Sequence, residues 1–205
     1  MKILSVKNRR KHITAVELED GTELLLDTEL AEFWDLKPDA VIDDPDVLLY
    51  ESDLKRAKSR ALWYLSRGDH SEKALYEKLR QAGFSEASSS AAVLRMIELD
   101  LVNDQRYAER LSEYLAASGS SKREIFAKMM NKGIPSAIAK ECAFSDGEDE
   151  TEKIKHLLET KYASKLSTEE GVQKVFAALI RKGFSFSDVK DALKAYSEEL
   201  YYSED

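Results

Sequence analysis

Three stretches of this chain align without gaps at a fixed spacing, and that period constrains the fold more than any other feature. SEKALYEKLRQAGFS from Ser71, SKREIFAKMMNKGIP from Ser121 and GVQKVFAALIRKGFS from Gly171 place Gly83, Gly133 and Gly183 at intervals of 50 residues. Around that anchor the apolar positions coincide: Leu75, Ile125 and Val175, then Tyr76, Phe126 and Phe176, then Leu79, Met129 and Leu179. Phe84, Ile134 and Phe184 follow the glycine, and Ala92, Cys142 and Ala192 share a later slot. Self-similarity at such a period marks a stack of supersecondary units.

The unit itself is readable. Apolar residues at offsets 0, +1 and +4 share one helix face. Asp69 with Glu72, Ser121 with Glu124, and Ser167 with Glu170 have capping-box spacing just ahead of that face. The glycine stands where a helix needs a left-handed residue after its last turn, followed by an apolar residue that folds back. A second amphipathic helix is expected over 87–99, 136–144 and 187–196, and a preceding one over 54–66, 104–117 and 150–162. Three helices with a tight turn between the second and third resemble helix-turn-helix architecture. One such unit buries little core, so the copies are expected to stack into an elongated, curved tandem array, jointed at 101–105 and 145–150.

The first 52 residues read differently. Strand-like alternation covers 2–6 and 12–19, Asp20-Gly21 is a tight-turn signal, and 22–26 would be the returning strand. A short helix is expected over 29–36 with Leu30, Phe33 and Trp34 on one side, stopped by Pro38. The fold class is therefore mainly α: three three-helix repeats over 53–102, 103–148 and 149–205, behind a β-containing segment over 1–52. The acidic tail, 198–205, is expected as frayed helix or disorder.

Composition excludes several functions. No apolar run approaches the roughly 20 residues of a membrane span, and the opening MKILSVKNRRKH lacks the apolar stretch of a signal peptide. A cytoplasmic location is expected. Cys142 is the lone cysteine, so neither an internal disulfide nor a cysteine-based zinc site can form, and its repeat slot suggests a small buried side chain. His12, His70 and His156 fall in a strand, a helix start and a helix, without metal or triad spacing. No glycine-rich phosphate loop occurs, and the carboxylates are scattered. No enzyme, cofactor or metal is expected.

The net charge of −8 conceals a pattern: −7 over 1–52, +4 over 53–145 and −5 over 146–205. Lys55, Arg56, Lys58, Arg60 and Arg67 crowd one helix and its end. Lys73, Lys78 and Arg80 follow, and Lys122, Arg123, Lys128 and Lys132 do the same one repeat later. Lys73 and Arg123 occupy equivalent slots, as do Lys78 and Lys128, so stacked repeats would present like charges on one surface. Arg56, Arg60, Lys73, Lys78, Arg123 and Lys128 are the candidate partner-binding residues. The bland alternative is a solvated helix face, partly neutralised by Glu72, Glu77 and Glu124. Tyr76, Phe126 and Phe176 share a slot and read as packing, whereas Trp63 and Tyr107 are less constrained by the repeat and could reach an interface. Lys7, Arg9, Arg10 and Lys11 read as a basic loop, a second contact.

Three segments carry a family resemblance. ALWYLSRGDHSEKALYEKLRQAGF (61–84), LVNDQRYAER (101–110) and GSSKREIFAKMMNKGI (119–134) resemble, in order, the first repeat, the joint and the second-repeat core of the RecX regulators of the RecA recombinase. The resemblance covers about residues 53–196. It implies a monomeric protein that binds the RecA nucleoprotein filament and inhibits its ATPase, strand exchange and coprotease activity, within recombination, DNA repair and the SOS response. It also allows contact with single- or double-stranded DNA. Two departures weigh against DNA more than against RecA: the net charge is negative, and Gly119-Ser120-Ser121-Lys122-Arg123 lacks the proline usual at the start of the second repeat. The alternatives are a helix-turn-helix DNA-binding protein acting without RecA, and a helical scaffold for another partner.

Overall fold

The computed structural model describes residues 1–10, 12–145 and 149–202. The chain divides into two compact units, Met1–Asn103 and Asp104–Asp205. In the first, strands β1 (Ile3–Arg10), β2 (Ile13–Leu18) and β3 (Glu23–Asp27) form an antiparallel sheet in that order. The β2–β3 hairpin turns at Asp20-Gly21, where Gly21 takes a φ of +84° and the Asp20 carboxylate accepts from the Thr22 amide. Period-two alternation sends Ile3, Val16, Leu18, Leu24 and Leu26 into a core closed by Ala31 and Ile42.

Three expectations are corrected here. β1 runs to Arg10, so Lys7, Arg9 and Arg10 stand on a strand and not in a loop, while Lys11 lies outside the described residues. His12 sits in the turn before β2. Helix α1 is only Thr28–Phe33, capped by Asp27, and it buries Ala31 while Phe33 is 80% exposed. Six residues are too short for the apolar face that 29–36 suggested.

Helix α2 spans Pro45–Leu65, starting nine residues before the expected 54. Asp44 accepts from the amides of Asp46 and Val47, and Pro45 occupies the first turn, where its missing N–H costs nothing. That extension carries α2 onto the sheet. The Asp27 amide donates to the buried Ser52 hydroxyl at 2.7 Å, and Lys55 Nζ lies 2.6 Å from both Asp27 and Glu29. Burial opposes the Lys55 charge, but the bonds to Asp27 and Glu29 outweigh it and raise its pKa. Lys55→Met leaves the nearly buried Asp27 carboxylate without its cation. It is expected to cost about 2 kcal/mol, at the lower end for a broken pair because Lys55 is partly solvated. Urea unfolding followed by circular dichroism measures it.

Three helix triplets follow: α2 with α3 (Glu72–Gln81) and α4 (Glu86–Glu98); α5 (Asp104–Ala117), α6 (Lys122–Asn131) and α7 (Ser136–Ala143); α8 (Glu150–Leu157), α9 (Glu169–Arg181) and α10 (Phe186–Tyr202). Each has its own core, and the repeat slots supply it: Leu75, Ile125 and Val175, Leu79, Met129 and Leu179, Phe84, Ile134 and Phe184 are all buried. Gly83, Gly133 and Gly183 have φ of +91°, +80° and +90°. The apolar residue after each returns its amide to the carbonyl five back (Phe84 to Leu79, Ile134 to Met129, Phe184 to Leu179), which satisfies a helix-end carbonyl.

The caps differ in detail from the expected ones. Ser71 and Thr168 cap α3 and α9, in place of Asp69 and Ser167, and Ser121 caps α6 as expected. Cys142 is half-buried, unlike Ala92 and Ala192, because α7 buries the neighbouring Ala143. After α8 the chain passes through a π-helical turn, Leu158–Tyr162, and a 3-10 turn, Ala163–Lys165, instead of one helix to 162. The last helix continues through Tyr202, so the first part of the acidic tail is helical; 203–205 lie outside the described residues.

Within the second unit the two triplets are joined by polar contacts. The Ser121 hydroxyl donates to the Lys182 carbonyl at 2.5 Å, and the Lys122 amide donates to Glu150 Oε1 at 2.7 Å. Among the described residues no helix is long and apolar enough to cross a membrane.

Candidate partner-binding surface

Helix α2 sorts its side chains by periodicity. Ala57 and Ala61 are fully buried on one face, with Leu54 and Leu65 packed beside them. On another, Arg56, Arg60, Trp63 and, just past the helix, Arg67 follow at i, i+4, i+7 and i+11. The ring of Trp63, 43% exposed, carries Arg60 at 5.3 Å and Arg67 at 4.1 Å from its centroid. Arg56 lies over Phe84 at 5.9 Å, and Lys78 of α3 over Tyr64 at 5.3 Å. Trp63 and Tyr64 meet edge to face at 5.2 Å.

Several cations of this region have no internal ion pair. Among the described residues, Arg56, Lys58, Arg60, Arg67, Lys78 and Arg123 have no carboxylate at ion-pairing distance. Other cations are occupied: Lys55 by Asp27 and Glu29, Lys73 by Glu77 at 3.9 Å, Lys128 by Glu124 at 2.9 Å. Arg56, Lys58, Arg60, Arg67 and Lys78 gather on α2, its end and α3 without such a carboxylate, which creates local positive potential. Four of them, Arg56, Arg60, Arg67 and Lys78, lie over aromatic rings, 4.1–5.9 Å from the ring centroids.

The six candidates therefore divide. Arg56, Arg60 and Lys78 belong to one cation–aromatic cluster in the first unit; Lys73, on the same helix as Lys78, is turned to Glu77. Arg123 and Lys128 lie on α6 in the second unit, Arg123 exposed and Lys128 paired. Glu124 is a further member of that helix start. Burial alone would raise its pKa, but Lys128, the Ser120 hydroxyl and Lys182 outweigh it and lower it. Sequence reasoning had Arg67 and Trp63 in view but missed Phe84 and Tyr64 as seats for Arg56 and Lys78. Neither pairing has a local sequence signature.

Among the described residues, no three His, Cys, Asp or Glu side chains gather as a metal site would need. The Cys142 thiol is pushed up in pKa by burial and then by the Glu109 and Glu141 carboxylates, only partly offset by Gln105. A thiol held protonated is a poor nucleophile. Its reaction with an aromatic disulfide reagent at pH 7 is expected to be at least about fivefold slower than that of free cysteine, and to recover in urea. An equal rate in the folded protein would contradict this environment.

Comparison with known proteins follows the same segments. The family description "RecX, first three-helix domain" matches residues 57–96, and "RecX, third three-helix domain" matches 148–193. The chain is 33% identical over 141 residues to the regulatory protein RecX of Caldanaerobacter subterraneus, covering 68% of this chain and 70% of that one. It is 27% identical over 208 residues to the regulatory protein RecX of Bacillus subtilis, covering 98% of this chain and 77% of the relative. The crystal structure of RecX from Lactobacillus salivarius superposes with a TM-score of 0.61 at 27% identity, over 70% of this chain and 96% of that one. A second crystal structure, of a regulatory protein RecX, superposes with a TM-score of 0.64 over 95% of this chain and 98% of the other; at 21% identity it speaks for the fold alone.

Proposed function

The chain belongs to the RecX family of regulatory proteins, and on that premise we propose that it docks on the RecA nucleoprotein filament and slows its ATP hydrolysis, strand exchange and coprotease activity. The observation that supports this reading is the set of unpaired, aromatic-seated cations on α2 and α3, together with Arg123 on α6. Such groups suit many modest contacts to acidic side chains, added along a repeat protein whose modules cover 53–102, 103–148 and 149–205. Arg56, Arg60, Lys78 and Arg123 carry the contact. Lys73 and Lys128 add to it only after giving up Glu77 and Glu124. The protein acts as a monomer in the cytoplasm.

Purified protein added to RecA on single-stranded DNA is expected to reduce ATP turnover at substoichiometric to equimolar amounts. Unchanged turnover at excess would sink the reading. The rival, a DNA-binding protein acting without RecA, requires affinity for bare DNA that falls steeply with salt as counterions are released. Its exposed Trp63 flanked by arginines is the feature in its favour, and an anisotropy titration at two salt concentrations separates the two.

A further inference from the structure

The N-terminal sheet and α2 enclose a groove of about 470 Å³, with Arg56, Arg60 and Trp63 on the helix side and Phe84 in its lining. His12 and the Asp27–Glu29 segment form the wall opposite. Both wall carboxylates are held by Lys55, so the charges left to the groove are those of Arg56 and Arg60, which have no carboxylate partner among the described residues.

Arg56 and Arg60 leave α2 one helical turn apart, their backbone positions about 6 Å apart along the axis at 1.5 Å per residue. Side chains on one side of an extended strand repeat at about 6.6 Å. Two carboxylates separated by one residue in an extended segment therefore match the step of Arg56 and Arg60 along α2, and a guanidinium can bind a carboxylate through two N–H groups. The flanking rings give an apolar neighbour of those carboxylates a surface to cover. A polyanion matches less well. The first 52 residues, which supply one wall, carry a net −7, and a continuous line of phosphates would meet that charge along its length, whereas two carboxylates meet mainly the two arginines.

We infer that this groove binds an extended acidic segment of the partner protein, two alternate carboxylates pairing with Arg56 and Arg60, and that the N-terminal sheet serves as the second wall of the site. The inference rests on the filament-docking reading and adds to it the chemistry of what is bound and a role for residues 1–44.

The test is an array of overlapping twelve-residue peptides covering the RecA sequence from the same organism, probed with the full-length protein, with the strongest binder then titrated by fluorescence anisotropy. Retained peptides are expected to hold two Asp or Glu residues one apart beside an aromatic or aliphatic residue. Arg56→Ala with Arg60→Ala should weaken the best peptide at least about tenfold, as should replacing the peptide's two acids by Gln, since charged hydrogen bonds are lost. His12→Glu, a change in an exposed turn, should weaken it several-fold; equal affinity would remove the wall from the site. Retention of no peptide, or only of peptides without paired acids, overturns the inference. So does displacement of the peptide by a dT oligonucleotide that itself binds in an Arg56- and Arg60-dependent way. ATP turnover in the filament assay keeps the readings apart. Slowing without any acidic peptide retained overturns the groove and spares docking. Peptide recognition without slowing supports the groove and overturns the slowing of RecA.

Discussion

Gly171→Ala is expected to destabilise the second compact unit by about 3 kcal/mol and to lower its melting temperature by roughly 10–20 °C, at the upper end for overpacking in a domain of this size. The residue lies in the first turn of α9 with no left-handed φ, so helix propensity alone argues for the opposite sign, a gain of up to about 1 kcal/mol. Space decides otherwise. A Cβ on Gly171 would lie 1.8 Å from the Lys165 carbonyl oxygen and 2.9 Å from Thr168 Oγ1. The nearest atom is backbone in the 3-10 turn Ala163–Lys165, which no rotamer change can move aside. Either that turn or the start of α9 must shift, and Thr168, which caps α9 by accepting from the Gly171 amide, shifts with it. Gly83→Ala is the companion measurement: nothing lies within 4 Å there, but φ is +91°. It should cost only the left-handed penalty of about 1–2 kcal/mol, and Gly83→Asn less. Thermal unfolding of the three variants checks the order, and a Gly171→Ala protein as stable as the parent would mean the turn yields freely.

The second large effect concerns regulation. Replacing Arg56, Arg60, Arg67 and Lys78 together by Ala is expected to raise the concentration needed for half-maximal slowing of RecA by at least about 30-fold. Each lost contact would weaken binding by around 0.5–1 kcal/mol at a partly exposed interface, and they act together. Lys73→Ala with Lys128→Ala is expected to change it about twofold or less, because both side chains already answer to a carboxylate of their own helix and removing them frees Glu77 and Glu124. Circular dichroism separates lost contacts from lost fold, which matters because Arg56 and Lys78 cover Phe84 and Tyr64. If the paired lysines mattered as much as the unpaired cluster, equivalence of repeat slots would be the better guide to the surface, and absence of an internal partner would not.

The helices were legible because what specifies them is local. Capping residues, amphipathic spacing and a glycine followed by an apolar residue all lie within about 15 residues of one another, and the 50-residue period repeats the message three times. The slots Leu75, Leu79 and Phe84, with their equivalents, are the buried ones. Errors fell where one element was judged without its neighbour. The repeat sets its first helix at 54–66, whereas α2 starts at the Asp44-Pro45 signal, nine residues earlier, and so carries Ser52 onto the sheet. Only the basic second half of β1 reads as a loop, because Lys7, Asn8, Arg9 and Arg10 have no apolar alternation, and pairing with β2 supplies the order instead.

The cations show the same divide. Their clustering in 53–145 is a property of composition, which makes Arg56 and Arg60 candidates, and Lys78 is one also by the repeat slot it shares with Lys128. Which of them is free for a partner is a tertiary matter. Lys55 is taken by Asp27 and Glu29, from 28 and 26 residues away, Arg56 is seated on Phe84, and only then do Arg56 and Arg60 stand as the uncommitted charges of a groove. Periodicity determined the units and their cores because helix faces repeat at a fixed step along the chain. The pairing of long, flexible charged side chains has no such step, and the fold decided it by bringing distant residues within a few ångströms.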